Sequence, residues 1–141
     1  MALETPTFQA YRGSEPPRFV NEAELEYAKI LDYHGVPWLY EPHTFVLERA
    51  DDGTVREAFT PDFFLPELGM YVECTVMRPA LQNRKRRKVR KARGLGVNVQ
   101  ILGRHDLERL AVRWRLKRLE VAARTRARTA PRRPTHPARL P

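Results

Sequence analysis

Cysteine is almost missing from this chain. Cys74 stands alone, so no internal disulfide can form, and zinc or dithiol motifs, which need paired thiols, are excluded. His34, His43, His105 and His136 show no metal-ligand spacing. No apolar run approaches the roughly 18 to 20 residues of a membrane span, and the N-terminal MALETPTFQAYRGSEPPRF lacks the basic-then-apolar order of a secretion signal. A soluble, cytoplasmic protein is expected. Internal repeats are absent too, and 141 residues suffice for one domain with a real core but not for two.

Positive charge is abundant and unevenly placed. From Arg113 onward ten basic residues face only Glu120, so the whole net charge of +9 lies there and residues 1 to 112 are neutral overall. Within that neutral part, RKRRKVRKAR from Arg84 to Arg93 holds eight basic groups. Two basic segments around an otherwise acidic body point to a polyanion, most simply nucleic acid, bound with release of counterions from phosphates. A solvated helix face and a solubilising tail would give the same composition.

Residues 1 to 18, rich in proline, are expected to form a flexible arm. In VNEAELEYAKILDYHG, Val20, Ala23, Tyr27, Ile30 and Leu31 recur at helical spacing before Gly35 and Pro37 stop the pattern. WLYEPHTFVLERA, VREAFTPDFFL and MYVECTVM read as three strands, the first interrupted at Pro42. PALQNRKRRKVRKARGLG reads as a helix, VNVQILG as a buried strand and HDLERLAVRWRLKRLEVAA as a last helix. The expected domain is therefore an α/β sandwich of mixed sheet and flanking helices over 19–122, with a disordered Arg/Pro-rich tail at 123–141. Trp38 and Trp114 lie in amphipathic segments and are expected in the core.

Alternation along MYVECTVM puts Met70, Val72, Cys74 and Val76 on one face and Tyr71, Glu73 and Thr75 on the other. With a four-residue loop at 66–69, antiparallel pairing sets Phe63 opposite Val72, Asp62 opposite Glu73 and Thr60 opposite Thr75. Directly opposed Cβ atoms lie about 4.5 to 5.5 Å apart, where like charges repel unless a cation or shared proton intervenes. Two solvated acids at an exposed hairpin end are the plain alternative; a hard divalent ion such as Mg²⁺, with Mn²⁺ as substitute, is the other. Glu24 falls on the inward stripe of the first helix, either closing a capping box with Asn21 or joining the acids. Lys85 interrupts the inward stripe Leu81, Val89 and Ala92 of the basic helix. An acid and a lysine aimed at a sheet face that already holds two acids look like a site.

These residues resemble the PD-(D/E)xK nuclease superfamily, with its restriction-endonuclease-like fold. The pattern is a glutamate on the first helix, proline-aspartate on a strand, acid-x-lysine on the next strand and a basic helix after it: here Glu24, Pro61-Asp62 and Glu73-Cys74-Thr75. The layout is similar to phage-type Holliday junction resolvases in its Gly35-Val36, Tyr40-Glu41 and PDFFLP at Pro61 to Pro66, and covers about residues 19 to 110. The resemblance implies an αβββαβ(α) core with Asp62, Glu73 and Glu24 as metal ligands. It implies Mg²⁺-dependent hydrolysis of DNA phosphodiesters, branched DNA among the substrates.

One departure bears on mechanism, because Thr75 stands where the family has its lysine, and a hydroxyl supplies no positive charge. Lys85 could reach the same place from the next helix, bound ions could act with Thr75 orienting water, or catalysis could have been lost. Arg84, Arg86, Arg87, Lys88, Arg90 and Lys91 are the expected nucleic-acid contacts, with DNA the expected partner and RNA not excluded. A homodimer would supply the two sites that a cut across both strands requires. Two rivals stay open: a catalytically inactive nuclease-fold binding module or partner subunit, and a basic structural protein that binds RNA.

Overall fold

Asn21 opens the first helix. Its side-chain oxygen accepts the Glu24 N–H at 2.9 Å, satisfying one of the orphan donors of the first turn, and α1 runs Glu22–Tyr33. Gly35 ends it with φ of 71°, a left-handed conformation that glycine adopts without a Cβ clash. Tyr27 and Leu31 are buried as their spacing predicts, with Ala28 beside them, whereas Ala23 is exposed and Val20 precedes the helix and is exposed. The computed structural model describes residues 8–129.

Two prolines divide the expected strands, at Pro42 as the sequence suggests and at Pro61 where it suggests one continuous strand. WLYEPHTFVLERA becomes β1 (Leu39–Tyr40) and β2 (Phe45–Arg49) on either side of Pro42, and VREAFTPDFFL becomes β3 (Val55–Phe59) and β4 (Phe63–Leu65) on either side of Pro61. Proline has no N–H for a ladder, so the pairing is interrupted at both places. β1 pairs β4 within a four-stranded sheet, while β2 and β3 form a separate two-stranded ribbon.

The chain continues through β5 (Met70–Cys74), α2 (Pro79–Gly94), β6 (Val99–Leu102) and α3 (Arg104–Thr129). The sheet has the order β1-β4-β5-β6; β6 is parallel to β5 and the other pairs are antiparallel. The result is an α/β fold of mixed sheet and three helices. None of the described helices is long and apolar enough to cross a membrane.

Alternation along β5 feeds two cores. Val72 and Cys74 pack with Tyr27, Leu31, Leu107 and Ala111 on the side of α1 and α3; Tyr71 packs with Phe59, Val89, Ala92 and Val99 on the side of α2. Burying a side chain as fully as Leu31 or Phe63 stabilises the fold by roughly 1.5 to 3 kcal/mol each.

Both ends differ from expectation where they are described. The arm is docked rather than loose: Phe8 and Tyr11 pack on the buried Trp38, and the Trp38 N–H donates to Ala10 O at 3.1 Å. Asp32 adds a side-chain anchor, accepting the Ala10 N–H at 2.8 Å. Proline richness obscured the apolar residues that bind the arm. At the other end, α3 continues through Thr129, so residues 123–129 of the expected disordered tail are helical; alanine and arginine are good helix formers. Residues 1–7 and 130–141, including the rest of that tail, lie outside the described residues.

Candidate functional site

The turn at Pro66 to Gly69, with Gly69 at φ 58°, fixes the hairpin register. Phe63 faces Val72, Phe64 faces Tyr71 and Leu65 faces Met70, as alternation and loop length predict. One step beyond the ladder, Asp62 and Glu73 cross-link the strands. The Asp62 N–H donates to Glu73 Oε1 at 2.9 Å, and the Cys74 N–H donates to Asp62 Oδ2 at 2.9 Å. Both acids are buried, at 7% and 5% exposure, and are not solvated as the plain reading of the hairpin held.

Lys85 reaches these acids from α2. Its ammonium lies 3.3 Å from Glu73 Oε2 and 3.7 Å from Asp62 Oδ2 and donates to Cys74 O at 3.0 Å. The residue that broke the apolar stripe of α2 is thus turned onto the two strand carboxylates. A cleft of about 260 Å³ opens beside it, lined by Glu73, Lys85, Thr60, Phe59, Arg84 and Lys88 among others.

Glu24 approaches from α1 and is also buried. Its Oε2 accepts from the Val20 N–H at 2.8 Å and from the Tyr40 hydroxyl at 2.7 Å, so these bonds leave Oε1 free of them. Asn21 caps the Glu24 N–H, but the Glu24 carboxylate does not return to the Asn21 N–H to close a capping box; it accepts the Val20 N–H instead and turns toward Asp62.

Glu41, which helical and strand periodicity do not single out, lies exposed at the edge of these acids. Carboxylate oxygens of Glu24, Glu41 and Asp62 lie within 4.8 Å of one another. Glu41 has φ of 46°, an uncommon conformation for a residue with a Cβ. Pro42 disfavours the right-handed helical region for the residue before it, and the Glu41 N–H is held by Asp62 O at 2.9 Å. The kink that ends β1 also delivers this acid to the site.

Thr75 does not join the acids. Its hydroxyl lies 3.4 Å from Tyr27 Oη, and Tyr27 belongs to the core on the α1 side. Thr60, expected opposite it, instead has its hydroxyl 2.7 Å from that of Thr44. The ladder of β5 with β4 ends before either threonine, so strict alternation no longer governs where Thr75 points.

The electrostatics follow from crowding. Burial, then the charge of Asp62, push Glu73 up to about 8 against the pull of Lys85. Glu24 is raised by burial, with the Tyr40 and Val20 hydrogen bonds opposing and Asp62 adding to the rise. Glu41 is raised by partial desolvation and by Glu24 and Asp62. Burial pulls the Lys85 ammonium down, but Asp62 and Glu73 outweigh it and the net shift is upward. One ammonium among four carboxylates leaves excess negative charge, and the donors are hard oxygens. Such hard oxygen donors could hold a hard divalent cation.

The basic residues of α2 divide into two groups. Arg87 and Lys91 pair with Glu57 of the β2–β3 ribbon at 3.0 and 3.1 Å, and Lys88 donates to Ala58 O at 3.2 Å. These three, expected to meet nucleic acid, hold the ribbon on the helix. Arg84, Arg86 and Arg90 are exposed and make no ion pair among the described residues. No protein-family model, curated protein or solved structure matches this chain, and the reading of the site rests on its own geometry.

Proposed function

We propose that the chain is a metal-dependent endonuclease of the PD-(D/E)xK type that hydrolyses DNA phosphodiester bonds. The observation that carries this is the convergence of Lys85 with Asp62 and Glu73 beside the cluster of Glu24, Glu41 and Asp62. Asp62, Glu24 and Glu41 would hold a divalent cation, and Glu73, bonded to the Asp62 N–H and ion-paired with Lys85, would complete the acidic set beside it. When bound, the ion supplies Lewis acidity and an acidified water.

The remaining chemistry belongs to the chain. Lys85 carries the positive charge that Thr75 lacks and steadies charge developing on the attacked phosphate. Tyr40 holds Glu24 in place through its hydroxyl. Arg84, beside the same cleft, contacts backbone phosphate, which gives affinity with little sequence readout.

Purified protein is to be incubated with Mg²⁺ or Mn²⁺ and linear, nicked and four-way DNA. Cleavage is expected from the native chain and not from Asp62→Ala or Glu73→Ala; cutting that persists in both variants rejects the assignment. One observation favours a second reading, a catalytically inactive binding module. Lys85 is already ion-paired to both strand acids, as it would be in a purely structural cluster. Under that reading Mn²⁺ leaves the melting temperature unchanged, whereas an ion bound only by the folded state raises it.

A further inference from the structure

The C-terminal half of α3 carries a second, separate set of observations. The last residues of α3 to bury surface are Leu107, Leu110, Ala111 and Trp114; every residue from Arg115 to Thr129 is exposed. At 1.5 Å per residue this is about 22 Å of helix, tied to the body by Arg118, which reaches Glu67 at 4.0 Å and lies over the Trp114 ring. An isolated helix of that length is marginal in water.

Its side chains are not arranged for solvent alone. At about 100° per residue, Val112, Leu116, Leu119 and Ala123 fall on one line, on the side opposite Leu107 and Trp114. Leu116 is 61% and Leu119 55% exposed. Arg115 and Arg126 flank this line on one side, and Lys117, Arg124 and Arg128 lie on nearly the opposite side of the helix.

We infer that this half of α3 inserts into the major groove of B-form DNA, its narrow apolar line toward the base edges and its two basic flanks toward the phosphates of the two groove walls. The inference rests on the reading of the chain as a DNA-acting protein and names the form of DNA it engages. A helix 10 to 12 Å across fits a groove about 12 Å wide, and charges on opposite flanks can meet two facing walls at once. Four of the five flanking cations are arginines, which bind phosphate through two hydrogen bonds.

Other occupants fit less well. A second copy would set basic flanks against basic flanks along the same seam. An anionic membrane asks for a strongly amphipathic helix with bulky apolar anchors, whereas this line thins to alanine and Val121 sits on the charged side. The deep, narrow major groove of duplex RNA does not admit a helix.

The test uses the full chain in metal-free buffer, so that binding is read without cleavage. Fluorescence anisotropy is measured on a DNA duplex, the matching single strand and the RNA duplex of the same sequence. The DNA duplex is expected to bind tightest. Arg124→Ala/Arg126→Ala/Arg128→Ala should lower the slope of log affinity against log salt by about 2 to 3. Ala123→Pro keeps every charge and breaks the helix; it should weaken duplex binding at least tenfold while circular dichroism shows the rest of the domain folded.

Duplex affinity unchanged in Ala123→Pro, or equal affinity for single strand and duplex, overturns the inference. So does a dimer abolished by Leu116→Asp/Leu119→Asp with duplex affinity intact, or binding only to phosphatidylserine–phosphatidylcholine vesicles. Binding that follows α3 without any metal-dependent cleavage would sink the nuclease reading and leave this one standing; cleavage indifferent to Ala123→Pro would do the reverse.

Discussion

The helices α2 and α3 are both strongly basic, and the fold directs part of their charge to different partners. On α2, Lys85 is drawn to Asp62 and Glu73 and Arg87 and Lys91 to Glu57; Arg93 donates to Val99 O. On the outer half of α3 the only ion pairs among the described residues are Arg118 with Glu67 and Arg124 with Glu120. A basic run therefore does not identify a binding surface. What decides is whether the neighbouring strands bring acids to it, and the β2–β3 ribbon brings them to α2 alone.

The comparison breaks most sharply at the acids beneath α2. Asp62→Ala and Lys85→Ala should each lower metal-dependent cleavage at least about a hundredfold, the loss typical when a preorganised electrostatic group is removed, while leaving duplex binding through α3 within about twofold. Gel assays and anisotropy on the same preparations measure both. Full cleavage by Lys85→Ala would show that α2 contributes only structural cations.

A second effect concerns stability against pH. Glu73 rises from 4.5 to about 8 on folding, so between those values the folded protein keeps a proton that the unfolded chain has released. Stability without divalent ions is thus fullest below about pH 4.5 and declines as pH rises toward 8, by on the order of a few kcal/mol from this group. Glu73→Gln should flatten that decline in a melting series from pH 5 to 8. A decline as steep in the variant as in the native chain would remove Glu73 as its source. For the native chain, Mg²⁺ should raise the melting temperature more at pH 8 than at pH 5.

Weaker effects follow at the ribbon. Glu48→Gln/Glu57→Gln frees Arg87 and Lys91: DNA affinity should rise a few-fold and the salt slope steepen by about 1 to 2, with a small fall in melting temperature. An unchanged slope would mean that these cations cannot reach phosphate. The smallest change is expected from Thr75→Val, since its hydroxyl bonds Tyr27 and not the acids; cleavage should stay within about threefold, and a large loss would restore Thr75 to the site.

Much of the site was legible because it depends on short-range geometry. Alternation and a four-residue turn suffice to bring Asp62 to Glu73, and helical spacing suffices to turn Glu24 and Lys85 inward. Glu41 was hidden because its position depends on a kink at Pro42 and a backbone bond to Asp62, neither of which periodicity records. Thr75 was misplaced because alternation was carried one residue past the end of β5.

The chain alone therefore determined the order of its helices and strand-forming segments, though not the division of VREAFTPDFFL into β3 and β4, together with the register of the β4–β5 hairpin and which helix faces carry an inward charge, since these follow from local repeat and turn length. Only the tertiary structure decided that Lys85 meets two acids, that Glu41 joins Glu24 and Asp62, that the N-terminal arm packs on Trp38 and that acids of the β2–β3 ribbon meet Arg87 and Lys91 of α2. Each of those depends on which distant segments the packing of two cores across one sheet brings into contact, and no local pattern specifies that.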